Sequence, residues 1–496
     1  MTWSIGMNPA TRCAFVEFGQ SALRNTRRTL RLIALTLLTA LPLASWASAG
    51  DDSPTALTQQ MQANGQRYGI AGQALMVTHN GKTLFRGADG EADVDTHERI
   101  TVDHIFPMHS VSKLLVSTLI MQLIEHGQLE LDAPASRYLI DLPASWRGIT
   151  IRQFLNHTSG VPEYFDNISA QTVFPATRQA MMSSLASKPL LFSPGTAIRY
   201  TQTNYVVLTA LLEAHYGKPY PQIVQQRIFE KLKMKHTWLG LAALPEKRVA
   251  KAYSGSNGQL KKLDDALWPA YGYGHTGLHS TVEDLTLFMQ AMSRGELVGK
   301  ASLQGFWQPQ HLANGERIWP ATGWDLGESG SYSEVGHDGG THVRLRILFN
   351  GTLDGDVYTI AYLTNGSARN VWSGTLVDSV MARIAPEKFP AEAAAESLRA
   401  FAFATPKDDT ATAAEVRSVR AIYPTDDAAL QRAIVDTANS LRENFDAKVA
   451  VPVFELDTVI FPRSRNAWEN LAKAYDAAGD KEKARSFRDK ARGLKE

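Results

Sequence analysis

His109-Ser110-Val111-Ser112-Lys113 runs without a break into Leu114-Leu-Val-Ser-Thr-Leu-Ile-Met-Gln-Leu-Ile124 and stops at His126-Gly127. The run from Leu114 to Ile124 is apolar on nearly every side, the pattern of a helix buried in a larger domain, and Gly127 stands where a C-terminal cap belongs. A serine and a lysine three residues apart share one helix face, with Cβ atoms roughly 5–6 Å apart, so the lysine nitrogen reaches the serine hydroxyl. That pair is a nucleophile beside its activator. In the first helical turn Ser110 also lies at the positive end of the helix dipole, which favours negative charge developing on it. Ser112, off that face, is expected to be structural. Ser-x-x-Lys alone is a common pattern, so its weight depends on the rest of the chain.

At 496 residues the chain is long enough for more than one domain, with the composition of an ordinary globular protein. Residues 1–49 differ: they hold five arginines and one acid, then the apolar run Leu32 to Ala44, then Ala47-Ser48-Ala49. That order describes a secretory signal peptide cleaved after Ala49, an uncleaved membrane anchor being the alternative. Thr26-Arg27-Arg28-Thr29-Leu30 resembles a twin-arginine export signal only loosely. Beyond this segment 46 lysines and arginines face 49 acids, and nothing suggests nucleic acid or an anionic membrane surface as a partner. The single cysteine, Cys13, falls inside the signal, which excludes thiol catalysis, disulfides and a lipid anchor from the mature chain. A secreted, periplasmic protein without a stable membrane anchor is expected.

Gln73-Ala-Leu-Met-Val-Thr78 and Lys82-Thr-Leu-Phe85 flank Asn80-Gly81, the signature of a tight β-hairpin. A glycine- and aspartate-rich stretch then reads as loop as far as Ile105. Ile151-Arg-Gln-Phe-Leu155 predicts a short helix closed by Asn156-His-Thr-Ser-Gly160, and Tyr205 to His215 a second buried helix ended by Gly217. Thr281-Val-Glu-Asp284 suits a helix N-terminus. Strands return in Val343-Arg-Leu-Arg-Ile-Leu-Phe349, where apolar and basic residues alternate, and in Val357-Tyr-Thr-Ile-Ala-Tyr-Leu363. Strands at both ends with helices between them predict an α/β fold of the α+β type, an antiparallel sheet flanked by helices.

Residues 386–412, alanine-rich with Pro386, Pro390 and Pro406, read as a linker between a domain at 50–385 and a helical region at 413–496. Trp468, Leu471, Tyr475, Gly479, Ala484 and Ala491 resemble one tetratricopeptide unit at 462–496, departing from it at Arg488. One such unit cannot bury its own face, so it packs on the rest of the chain or on a protein partner. A plain helical hairpin is the alternative.

Two further stretches stand with Ser-x-x-Lys: Pro194-Gly-Thr-Ala-Ile-Arg-Tyr200-Thr201-Gln202, before the second buried helix, and Gly336-His337-Asp338-Gly339-Gly340-Thr341, before the late strand. Together the three resemble the serine β-lactamase and penicillin-binding-protein family, in its class C-like branch with the related esterases and D-amino-acid peptidases. The likeness spans roughly residues 55–385. It implies a β-lactamase/transpeptidase-like fold with an all-helical subdomain. It also implies that Ser110 is the acylated nucleophile, Lys113 its activator and Tyr200 the proton-shuttling phenol. Gly340 N–H and Ser110 N–H would form the oxyanion hole, with Gln202, His337 and Gly339 lining the substrate site. Each also has a plainer reading: Tyr200 as an aromatic at a core rim, His337 as a turn residue, Glu163 and Asp166 as solvated loop acids, His157 and Ser159 as groups that close a helix.

Two positions depart from the β-lactamases proper. His337-Asp338-Gly339 replaces Lys-Thr-Gly, and a histidine near its reference pKa of ~6.5 beside an aspartate offers less positive field to a substrate carboxylate. Tyr200-Thr201-Gln202 replaces Tyr-x-Asn, carrying the amide one methylene further out. The sequence therefore predicts an exported serine hydrolase, an esterase or D-amino-acid-specific peptidase, acting on a small ester, peptide or β-lactam. A β-lactamase or DD-carboxypeptidase is the alternative, and so is a non-catalytic scaffold recruiting partners through its C-terminal helices. Histidines and acids do not cluster at metal-ligand spacing, so neither metal nor cofactor is expected.

Overall fold

The computed structural model describes residues 54–494 apart from 167, 168, 170, 264–266, 370 and 406, so the expected signal segment lies outside the described residues. An eight-stranded antiparallel sheet organises the chain up to residue 385. Strands β1 (Gly72–His79), β2 (Lys82–Asp93) and β3 (Glu98–Arg99) come from the N-terminal side, and β4 (Pro320–Ala321), β5 (Trp324–Ser329), β6 (Tyr332–Gly339), β7 (Val343–Phe349) and β8 (Val357–Thr364) from the far side. Their spatial order is β4-β5-β6-β7-β8-β1-β2-β3, with Gln73 opposite Thr364 and His79 opposite Tyr358. The N-terminal hairpin thus sits mid-sheet and is fixed by residues nearly 300 positions away. Asn80 and Gly81 both take positive φ, +47° and +80°, as a two-residue turn matched to strand twist requires.

The stretch after Phe85 is strand rather than the expected loop, and β2 runs on to Asp93. Its glycines permit this: a Cβ on Gly90 would lie 2.4 Å from the Ala71 carbonyl oxygen. They mark close strand contact.

Helices α1 (Pro54–Tyr68) and α6 (Ser373–Ile384) cover one face of the sheet, packing Leu57, Met61, Leu376 and Val380 on Leu75, Ile360 and Tyr362. The other face carries α2 (Ser112–Glu125), α3 (Ile151–Leu155), α4 (Thr203–Tyr216) and α5 (Val282–Ser293), whose apolar residues join Val343, Leu345 and Ile347 in one core. Helix α2 ends as its sequence dictates, with Gly127 at φ +67°. Thr150 and Gln153 form a reciprocal capping box at the start of α3, and Thr281 Oγ1 accepts the Asp284 N–H at the start of α5.

The expected linker is a correction: residues 390–403 form helix α7 (Pro390–Phe403). Its proline occupies the first turn, where a missing N–H costs nothing, and the alanines favour helix. Helices α8 (Asp409–Ile422), α9 (Asp427–Asn444), α10 (Ala447–Ile460), α11 (Arg465–Ala477) and α12 (Lys481–Gly493) follow. Each opens on an Asp or Ser whose side chain accepts a backbone N–H: Asp408, Asp426, Asp446, Ser464 and Asp480. They build a separate core around Leu398, Ile434, Leu441, Phe454 and Leu471.

That second core is riveted to the first. Glu396 of α7, 1% exposed, accepts from both Arg67 (2.9 and 3.0 Å) and Gln60 (3.0 Å) on α1. Phe445 inserts between Tyr68 and Phe403, at 5.4 and 4.9 Å between ring centroids. Arg67→Ala strands a buried carboxylate and should cost about 3–5 kcal/mol in denaturant unfolding, most of it recovered when Glu396→Leu removes the orphaned charge.

Candidate active site

Ser110 stands in a 3-10 turn, His109–Val111, that feeds directly into α2, so the helix proper begins two residues later than the serine. His109 enters this turn at φ +45°, a strained conformation for a side-chain-bearing residue. Ser112 is structural, as expected: its hydroxyl donates to His109 O (2.7 Å) and accepts from Leu278 N (3.2 Å). Lys113, entirely buried, donates from Nζ to Ser110 Oγ at 3.1 Å and to the His275 carbonyl at 3.1 Å. Burial drives its pKa well below the ordinary lysine value, against the opposing pull of Glu163 and Asp325.

The second element arrives through the loop before α4. Lys113 Nζ lies 4.8 Å from the Tyr200 ring centroid, and Ser110 is among the neighbours that act on the Tyr200 phenol. Burial raises the phenol well above its usual pKa, and the neighbouring Ser110 hydroxyl pulls weakly the other way. The Tyr200 ring packs on His157 at 4.3 Å between centroids. His157 does not close a helix. Its Nδ1 accepts from Thr201 N (3.3 Å) and Asn204 Nδ2 (3.0 Å), and Ser159 Oγ donates to Asn204 Oδ1 (2.6 Å), so the His-Thr-Ser-Gly turn holds the Tyr200 segment. Burial keeps His157 neutral by pushing its pKa well down. Gln202 precedes α4, and its buried Oε1 finds no partner among the described residues.

Glu163 is a further correction. Rather than being solvated, it accepts from Gln202 N (2.8 Å), Tyr164 N (3.0 Å) and Thr203 Oγ1 (3.2 Å); Asp166 is exposed, as expected.

The third element is the end of β6. His337 is 5% exposed and 6.2 Å from Tyr200 between ring centroids. Its Nδ1 lies 2.6 Å from the Asp338 carbonyl oxygen, which can only accept, so Nδ1 carries the proton and Nε2 is an acceptor. Burial, against the opposing pull of Asp325, lowers its pKa and favours the neutral ring. Gly339 and Gly340 lie on Met108 and His109: a Cβ on Gly339 would come within 2.4 Å of Met108 O, and one on Gly340 within 3.0 Å of His109 Cδ2. The structure thereby brings Ser110, Lys113, Tyr200, His337, Gly339 and Gly340 to one place.

Asp338 still acts on His337, but its carboxylate is paired with arginines. Strand pairing puts Asp338 opposite Arg344 and Gly336 opposite Arg346, on the sheet face away from α2. Arg344 Nη1 donates to both Asp338 oxygens (3.0 and 2.8 Å), Arg346 Nη2 lies 2.8 Å from Asp338, and Ser373 Oγ donates to it at 2.8 Å. Glu334 joins the two arginines at 2.6 and 2.5 Å. The arginines hold the Asp338 pKa down, to about 2, despite burial. The alternating arginines of Val343–Phe349 are therefore buried, each 4% exposed.

With this geometry described, comparison with known proteins is decisive. Residues 56–372, well over half of the chain, match the family described as Beta-lactamase. The chain belongs to the Beta-lactamase family. It is 28% identical over 294 residues to a penicillin-binding protein of Bacillus subtilis, covering 56% of this chain and 64% of that protein. It is 25% identical over 295 residues to a D-aminopeptidase of Brucella canis, covering 58% and 55% respectively. Both matches span less than two thirds of the relative's length. Among solved structures, D-amino acid amidase from Ochrobactrum anthropi superposes with a TM-score of 0.57 at 24% identity, over 67% of this chain and 99% of that one, which establishes the shared fold.

Gly339→Ala tests the packing of the third element. Its Cβ would strike backbone, so the β6 end must move off Met108. The variant should keep its far-ultraviolet circular dichroism while Ser110 loses at least ~10-fold in labelling rate with a fluorophosphonate.

Proposed function

We propose that this chain is an exported serine hydrolase working through an acyl-enzyme on Ser110, with an ester or a D-amino-acid-containing peptide or amide as substrate ahead of a β-lactam. The carrying observation is the buried Lys113 nitrogen 3.1 Å from Ser110 Oγ, in surroundings that favour a neutral amine. Of the two candidate bases, Lys113 is pushed toward its deprotonated form and Tyr200 toward its protonated form. Lys113 therefore takes the Ser110 proton as Oγ attacks the carbonyl carbon. Tyr200 gives its proton to the departing oxygen or nitrogen and recovers one from the Lys113 ammonium. The acyl ester is then attacked by water through the same groups in reverse, and Ser110 is released. The backbone N–H groups of Ser110 and Gly340 are assigned to the oxyanion.

Substrate preference rests on what lines the site. The His337 Nε2 lone pair is an acceptor where β-lactamases proper place a fixed cation, and Gln202, whose Oε1 is unpartnered among the described residues, stands where they place an asparagine. Acceptors suit substrate N–H groups and give a carboxylate nothing to bind, which favours an amide or peptide and disfavours penicillin.

Intact mass after exposure to a fluorophosphonate and to penicillin tests the proposal. A fluorophosphonate adduct on the native chain, lost in Ser110→Ala and with no lasting penicillin adduct, is expected. No adduct with either reagent in folded protein would sink the enzyme reading. Labelling should also fall as pH drops through the depressed Lys113 value, giving an acid limb well under the ordinary lysine pKa of ~10.4. Tyr200→Phe should lower turnover by about 100-fold or more, since it removes the proton donor assigned to the leaving group.

A further inference from the structure

Three aromatic side chains from distant parts of the sequence meet beside the reacting pair. Phe165 and Phe174 lie edge-on at 6.2 Å between ring centroids, and Trp268 packs on both, stacked on Phe174 at 4.9 Å and edge-on to Phe165 at 5.7 Å. One residue connects them to the site. Trp268 stands edge-on to the His275 ring at 5.1 Å, and the His275 carbonyl accepts from Lys113 Nζ at 3.1 Å. The hydroxyls at the base of the cluster are spent internally: Tyr164 meets His275 Nε2 at 2.7 Å, and Tyr271 donates to Pro175 O at 2.9 Å. The outer part is carbon. Phe165, Phe174 and Trp268 are only half-buried, and their chain neighbours Val173 and Leu267 are 92% and 77% exposed. Packing alone would turn such groups inward, whereas contiguous apolar surface left in water beside reactive groups suits a ligand.

We infer that this aromatic wall is the acyl-side specificity surface, and that the substrate carries a bulky apolar group, an aromatic ring above all, on the acyl side of its reacting carbonyl. This rests on the acyl-enzyme reading of Ser110 and narrows it. The proton donor assigns the side. Tyr200, which protonates the leaving group, is surrounded by His157, His337 and Trp319 at 4.3, 6.2 and 6.3 Å between centroids, so the leaving group departs among those rings. The wall joins Lys113 by way of His275 instead, and the group that stays on Ser110 faces it. Rings held at both stacked and edge-on angles give a substrate ring either kind of contact.

p-Nitrophenyl acetate and p-nitrophenyl phenylacetate share a leaving group and differ only in the acyl group. Their kcat/KM ratio, corrected for spontaneous hydrolysis, should favour phenylacetate by about 10-fold in the native chain. Trp268→Ala should lower that preference by at least ~5-fold, and Phe174→Ala, a second and independent truncation of the wall, should lower it too. Equal losses on both esters, or no native preference, would show a packing role and overturn the inference. A second measurement needs no turnover. In Ser110→Ala carrying 5-fluorotryptophan, the Trp268 19F line, assigned by its loss in Trp268→Phe, should shift saturably with phenylacetamide and not with acetamide. An unmoved line would also overturn the inference. A moving line in a chain whose native form takes no fluorophosphonate would keep the aromatic site and discard the hydrolase.

Discussion

A fully buried amine is the constraint around which this molecule is arranged. An uncompensated ammonium in a protein interior costs several kcal/mol, so Lys113 sheds its charge or finds acceptors, and here both happen. Its two hydrogen bonds go to Ser110 Oγ and the His275 carbonyl, neither of which carries charge. The three histidines nearby are driven neutral by burial as well. Around Ser110, Lys113 and Tyr200 the close hydrogen-bonding partners are thus largely uncharged, with Glu163 and Asp325 the acids acting on Lys113.

Charge is concentrated instead behind the sheet. Gly336 leaves room for Arg346, since a Cβ there would come 2.9 Å from the guanidinium and closer still to the Leu345 carbonyl. Through that gap Arg346 reaches Glu334 and Asp338, while Arg344 clamps Asp338 with two bonds. A buried network of this kind adds little net stability compared with apolar packing; what it supplies is one allowed geometry. The same residue's backbone carbonyl meets His337 Nδ1, so Asp338 takes part on both faces of the sheet, its side chain on one and its carbonyl against His337 on the other.

Features governed by local chemistry were readable from sequence. Gly127, Asn80-Gly81 and Thr281 each need only their own backbone geometry, and Val343–Phe349 is a strand over the residues its pattern marks. Misreadings came where a distant partner decides. The burial of the β7 arginines was not legible locally, because their partners Glu334 and Asp338 lie on another strand. Their spacing of four, on a strand preceding two arginines spaced by two, was the available signal: period-two pairing puts all four on one face. Glu163 looked solvated because its acceptor role depends on α4, forty residues later. Pro390 looked like a linker residue because proline marks both breaks and helix starts, and only packing separates them.

The same reasoning bears on the C-terminal helices. A single helical hairpin leaves an apolar face to be covered, which from sequence alone invites a partner. In the structure α11 and α12 bury Trp468, Leu471, Ala484 and Ala491 within the core that α7, α9 and α10 share, and Phe487 packs on Trp468 at 5.6 Å between centroids. That core joins the catalytic half through Glu396, a buried charge, rather than through apolar packing alone. A flexible tether would require neither the buried Arg67–Glu396 pair nor the insertion of Phe445. Their presence makes the helices a fixed extension of α1, on the sheet face where Arg344 and Ser373 hold Asp338.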